Sequence, residues 1–183
     1  QDGKRPKEIT VQLYADGNIC HYEPCYGSDC NYRTTYWRKK AGAGGRCCRN
    51  DNYSVCRRSL FDLGKVVENF VTYENNWYYY LEWLKQLFGE TEGKDGKGIL
   101  PISMIHTRDL HSLGQFVQEG NKIIYETFFK INNMPICDID GKDLHKVNLI
   151  VEDSVISAHV SGGVPCIVIE LDDISPRSMG RLS

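Results

Sequence analysis

Residues 66–105 read VVENFVTYENNWYYYLEWLKQLFGETEGKDGKGILPISMI. The opening Val66–Tyr73 crowds β-branched and aromatic side chains into a run of strand length. In Asn75–Phe88 the residues Trp77, Tyr80, Leu81, Leu84, Leu87 and Phe88 follow a 3.6-residue period, which predicts a helix. Tyr78, Tyr79 and Trp83 lie off that stripe and predict a second apolar face, covered by another domain or subunit. A charged, glycine-rich stretch follows, and Ile99–Ile105 returns to strand composition. Pro101 argues against a central place for that strand, because proline has no N–H for the ladder. Strand, helix, strand is the repeating unit of a parallel sheet.

Downstream the alternation continues. Leu110, Leu113 and Val117 form the stripe of a helix over Thr107–Gln118, with Gly120 placed to stop it. Ile123–Ile131 and Cys166–Leu171 read as two more strands. The expected fold class is therefore α/β, a mostly parallel sheet with helices on its faces. Ligands in such sheets sit beyond the carboxyl ends of the strands, in loops that lead into helices.

Upstream the texture changes. Residues 1–64 hold 11 Lys/Arg against 7 Asp/Glu, whereas residues 65–183 hold 11 against 17. Six of the eight cysteines fall at 20, 25, 30, 47, 48 and 56, leaving Cys137 and Cys166 beyond. Ala41-Gly42-Ala43-Gly44-Gly45 marks a boundary, so two domains are expected: a cysteine-rich module over 1–49 and an α/β domain over 50–183. Ile9–Tyr14 and Asn18–Tyr22 flank Ala15-Asp16-Gly17, a β-hairpin signal. Disulfides, reduced thiols and a metal site all remain open for these cysteines. The zinc reading is the weakest, since the gaps between cysteines do not give close ligand pairs, even with His21 beside Cys20. The basic residues Arg38, Lys39, Lys40, Arg46 and Arg49 near Tyr36 and Trp37 read as a solvated loop before they read as a nucleic-acid contact.

Composition narrows the class. The 183 residues are 41% hydrophobic and 25% charged, as in a folded soluble domain. A formal charge of −2 is too small for a general polyanion binder. No apolar run approaches the roughly 18 residues of a membrane span, and the opening Gln1–Glu8 predicts no signal peptide.

Two loops invite chemistry. Gly89–Gly98 is not a phosphate-binding P-loop, because no Gly-Lys-[Ser/Thr] closes it and it precedes a strand. A carboxylate at the end of a helix beside this permissive loop suits a general base. The second loop is Thr107–Ser112, a strand-to-helix junction. On its helix His111, Gln115 and Gln118 share a polar flank about 80–140° from Leu110, and Gly114 leaves room beside them.

These residues carry a resemblance. Trp83–Ile99, containing Gly89-Glu90-Thr91-Glu92-Gly93-Lys94, is similar to the bacterial type of glucose-6-phosphate isomerase, as is Asp109–Gly120. Tyr53–Arg58, Tyr73-Glu74, Ile124–Thr127 and Ala158–Pro165 extend the match to roughly residues 50–183. The resemblance implies a flavodoxin-like α/β/α sandwich corresponding to most of that family's second sugar-isomerase domain. It implies that Glu90 moves a proton between C1 and C2 through a cis-enediol. It gives His111 a role in opening the sugar ring, reached from the neighbouring subunit of a dimer, and places Gln115, Gly93 and Lys94 at the substrate. No metal or organic cofactor is required. The implied partners are a hexose phosphate and either a second copy or a companion domain, with neither nucleic acid nor membrane. The implied location is cytoplasmic, or secreted if the N-terminal cysteines are bridged.

The departures are specific. The family's first sugar-isomerase domain, its Gly-Gly-Arg arginine and its C-terminal lysine motif have no counterpart here, for Gly44-Gly45-Arg46 lacks the surrounding pattern. Arg108 stands where a small hydroxyl residue is more usual. Three functions are therefore expected to compete: isomerisation of a hexose 6-phosphate, a silent sugar-phosphate-binding or dimerising domain, and a secreted disulfide-rich interaction protein.

Overall fold

The computed structural model describes residues 10–15, 18–20 and 49–182. In chain order the elements are β1 (Thr10–Ala15), β2 (Asn18–Cys20), α1 (Arg49–Asp62), β3 (Val67–Thr72), a 3-10 turn (Asn75–Trp77) and α2 (Tyr78–Glu92). Then come β4 (Leu100–Ile105), α3 (His106–Glu119), β5 (Ile124–Ile131), β6 (Asp138–Ile139), β7 (Lys142–Asp143), α4 (Leu144–Ser161), β8 (Cys166–Leu171) and α5 (Pro176–Leu182).

The main sheet runs β2-β1-β8-β5-β3-β4. Its four strands β8, β5, β3 and β4 are parallel, with Val67 opposite both Leu100 and Ile124, and Glu126 opposite Cys166. Numbered along the chain, these four follow the order 2-1-3-4 from the β4 edge, which is the flavodoxin-like arrangement. The direction of winding reverses between β3 and β5. On the far side β1 joins β8 antiparallel, and β2 turns back on β1 with Ala15 opposite Asn18. β4 is the edge strand, which explains how Pro101 is accommodated: an edge strand has one side with no ladder to feed.

Helices cover both faces. On one, Phe70, Tyr125, Phe129 and Ile167 pack with Leu60 of α1 and Leu81 and Leu84 of α2. On the other, Val71, Phe128 and Val168 meet Ile156 of α4, while Met104 and Ile124 meet Val117 of α3. β5 is buried along its whole length except at Lys130, as expected of a strand covered on both sides. The expected helices are present with shifted ends. α2 continues a full turn beyond Phe88, through Gly89, and α3 begins at His106. The second apolar face of α2 is exposed in this chain, at Tyr78, Tyr79 and Trp83, and so is Leu87 of the predicted inner stripe.

The cysteine module falls largely outside the described residues: Cys25, Cys30, Cys47 and Cys48 are among those not described, as is the Arg38–Arg46 cluster. Cys56 is buried in the core beside Leu60. Cys137 is exposed, Cys166 is buried, and neither is in a disulfide. No helix among the described residues is long and apolar enough to cross a membrane.

Candidate active site

The Glu90 segment is the last turn of α2 and the loop that carries the chain into β4. Glu90 is exposed, and its Oε1 accepts a hydrogen bond from Gln86 Nε2 at 3.2 Å. Gly93 closes the helix, its N–H reaching Gly89 O at 3.2 Å, and a Cβ there would stand 2.7 Å from the same oxygen. Lys94 is exposed and donates its backbone N–H to Glu92 O at 2.8 Å. Asp95 and Gly96 then take left-handed conformations, φ 56° and 66°. Gly98 has φ 113°, and a Cβ on it would sit 2.6 Å from Glu92 O. The loop is thus folded tightly back against the helix end, which only glycine permits at that point. It lies at the amino end of β4, whereas the sheet rule directs attention to the carboxyl ends.

His111 and Gln115 are elsewhere. Both are exposed on α3, and Gln115 Nε2 donates to Glu119 Oε2 at 2.7 Å. α2 packs on one face of the sheet and α3 on the other, so the sheet stands between Glu90 and His111. No hydrogen bond, ion pair or ring contact among the described residues joins the two. Gln118 leaves the flank expected for it: its Nε2 reaches across to Ala158 O at 3.1 Å and ties α3 to α4. The start of α3 is held by Asp109, which accepts from Ile105 N–H at 2.9 Å and from Arg108 Nε at 2.7 Å. The Arg108 hydrogen bond, with help from Ile105 N–H, holds the Asp109 carboxyl below its ordinary range despite partial burial. Arg108 also lies over the Tyr78 ring, 5.8 Å from its centroid, linking the heads of α2 and α3.

Sequence reasoning missed the buried polar groups. Glu126 on β5 is fully buried and accepts from Asn69 Nδ2 at 2.8 Å and His159 Nδ1 at 2.5 Å, with His106 Nε2 at 3.6 Å. Burial alone would raise this carboxyl, but the adjacent imidazoles of His106 and His159, the latter hydrogen-bonded to it, outweigh burial and bring it down to about 2. On the opposite face Glu68 is equally buried and accepts from Arg57, Tyr53 and Thr127. At the carboxyl ends of β3 and β5, where the winding reverses, a crevice is lined by Thr72, Tyr73, Glu74, His145 and Glu152. His145 Nδ1 meets Glu74 Oε1 at 3.0 Å. Burial raises the Glu152 carboxyl to about 8, against the pull of Lys130. Among the described residues no group of three or more His, Cys, Asp or Glu side chains is arranged so that it could hold a metal ion.

No family profile matches the chain. Glucose-6-phosphate isomerase of Mycoplasmopsis pulmonis is 44% identical over 150 residues, covering 73% of this chain and 35% of that protein. The chain is related to glucose-6-phosphate isomerases. The same-named protein of Caldanaerobacter subterraneus is 41% identical over 145 residues, covering 71% of this chain and 32% of its own length. The chain therefore spans about a third of the curated isomerases it matches. Among solved structures, a hypothetical protein from Thermus thermophilus superposes with TM-score 0.61 at 17% identity, over 74% of this chain and 38% of its own. A glucose-6-phosphate isomerase from Chlamydia trachomatis gives 0.56 at 17% identity, over 66% and 28%. At that identity the two structures speak for the fold.

Proposed function

We propose that this chain contributes the second sugar-isomerase domain of an aldose–ketose isomerase that interconverts glucose 6-phosphate and fructose 6-phosphate. The observation that carries the reading is the Gly89–Lys94 segment. An exposed carboxylate, Glu90, projects from the last turn of a helix beside a glycine-rich loop in a chain 38–44% identical to such isomerases. Glu90 takes the proton from C2 of the open-chain sugar and returns it to C1, and the cis-enediol lies between the two steps. A carboxylate suits this work when substrate and a covering surface exclude water from it. His111 exchanges a proton with the ring oxygen as the sugar opens, a task that suits imidazole near neutral pH. Gly93 and Lys94 lie beside Glu90 on the substrate, and Gln115 lies one helical turn beyond His111. No metal or organic cofactor enters this chemistry.

Because the sheet separates Glu90 from His111, a complete site takes Glu90 from one copy and His111 from another. Tyr79, Trp83 and Leu87, exposed on α2, supply apolar surface for that contact or for a companion domain. In this reading the cysteine-rich segment within residues 1–49 is an addition to the isomerase domain, which β1 and β2 join at the β8 edge of its sheet, and the protein works in the cytoplasm.

The test is conversion of fructose 6-phosphate together with solvent deuterium exchange at C2. Glu90→Gln keeps shape and removes the base, so both rates should fall by several orders of magnitude. His111→Ala should slow closed-ring sugar more than an open-chain analogue. A parent chain that neither turns over nor binds a hexose phosphate would favour a silent dimerising domain.

A further inference from the structure

The turn that carries Glu90 is gripped from beneath by a residue of another helix. Arg57 of α1, 8% exposed, reaches Glu92 with both terminal nitrogens, Nη1 to Oε1 at 2.5 Å and Nη2 to Oε2 at 2.9 Å. Its Nε donates to Glu68 Oε2 at 2.7 Å, and its guanidinium lies 4.4 Å from the centroid of the Phe88 ring. Glu68 is itself fixed on β3 by Tyr53 Oη and Thr127 Oγ1, each at 2.6 Å. The guanidinium is therefore anchored to the sheet and extends its fork outward to the end of α2. Arginine alone among side chains matches this task, because its planar donors serve two carboxylates while its face stacks on an aromatic ring.

The consequence for Glu90 is geometric. Residues two apart on an α-helix point about 200° from each other. Holding Glu92 toward the sheet turns Glu90 outward, onto the face it shares with Tyr79, Trp83 and Gln86 within about 40°. The Gly98 backbone packs against the carbonyl of the same Glu92, so the loop into β4 is referenced to that residue as well.

We propose that Arg57 is the positioning residue of the Glu90 segment, acting through its two-pronged contact with Glu92. The proposal rests on the isomerase reading of Glu90 for its catalytic consequence. Its competitor is a purely structural role, in which Arg57 only neutralises buried Glu68. Glu92→Gln separates the two, since it weakens the fork while leaving the Arg57–Glu68 pair and the core intact.

The experiment uses the whole chain. Hydrogen–deuterium exchange read by mass spectrometry should show peptides over residues 88–98 exchanging about tenfold faster or more in Glu92→Gln. Peptides over β3 and β5 should be unchanged, as should the melting temperature within a few degrees. Arg57→Lys keeps the charge and loses the fork, so it should reproduce the faster exchange. In the isomerase assay Glu92→Gln should lower kcat about 10²-fold, with KM within about twofold, as expected when a catalytic group is misplaced by about an ångström. Unchanged exchange over 88–98, or faster exchange spread equally through β3 and β5, overturns the proposal. So does faster loop exchange with an unaltered kcat. If the parent shows no isomerase activity, the functional reading fails separately. The exchange measurement then still decides whether Arg57 holds the segment.

Discussion

Two buried carboxylates respond to pH in opposite senses, and the difference lies in their partners. Glu126 sits between two imidazoles and an amide, and its carboxyl is held at about 2 in the fold. A depressed carboxyl contributes stability that is present above its unfolded value and lost as pH falls through the folded one. The parent should therefore lose stability between about pH 4.5 and 2, and Glu126→Gln should lose less across that window. Urea denaturation at pH 5 and pH 2.5 measures both. Glu152 is the reverse case. Its Oε1 is buried without a hydrogen-bond partner in the crevice beside Tyr73, and burial raises its carboxyl to about 8. Stability linked to a raised carboxyl is full below the unfolded value and is lost as pH rises through the folded one. Glu152→Gln should accordingly melt higher than the parent, by a margin that grows between about pH 5 and 8. A margin that shrinks with rising pH would contradict the burial argument.

At the scale of elements, two helix ends are fixed by identifiable groups. α4 opens at Asp143, whose side chain accepts from His145 N–H at 3.2 Å. Asp143→Ala removes that cap and should cost about 1 kcal/mol, measured by denaturant midpoint at constant slope. α2 ends in a loop whose path depends on Gly98. At φ 113°, with Glu92 O 2.6 Å from where a Cβ would stand, alanine is both strained and obstructed. Gly98→Ala should destabilise by about 1–3 kcal/mol and displace the segment bearing Glu90. Circular dichroism melts, with the isomerase assay alongside, give both effects. An alanine variant as stable as the parent would mean that the loop takes another path in solution.

At the scale of the molecule, the sheet that positions the two proposed site residues also keeps them apart. If each site is built from Glu90 of one copy and His111 of another, two inactive variants should complement each other. Random reassortment of Glu90→Gln with His111→Ala yields mixed dimers in about half the cases, each with one intact site and one doubly altered. Mixing equal amounts after mild dissociation should restore about a quarter of parental activity. No recovery, with mixed dimers demonstrated by native mass spectrometry, would place both residues in one copy's site.

The strands and the stripes of α2 and α3 were legible in sequence because apolar periodicity is a local property. Val66–Tyr73 and Ile123–Ile131 alternate or run apolar at strand length, and Leu81 and Leu84 recur at helical spacing whatever surrounds them. α4 escaped for the converse reason: His145, Glu152 and His159 occupy buried positions along it, so its inward face does not read as apolar. α1 is hidden in the same way by Arg57. Asp140-Gly141 carries the same turn signal as Asp16-Gly17, yet the two-residue strands it joins are too short to show alternation. The sequence by itself determined the α/β class, the relation to glucose-6-phosphate isomerases and the candidate pair Glu90 and His111. Only the tertiary structure decided that the pair lies on opposite faces, that β1 extends the parallel sheet antiparallel, and that Arg57, Glu68 and Glu92 meet. Those facts depend on which distant segments pack together, and a buried charge becomes visible only once the partner that pays for its burial is in place.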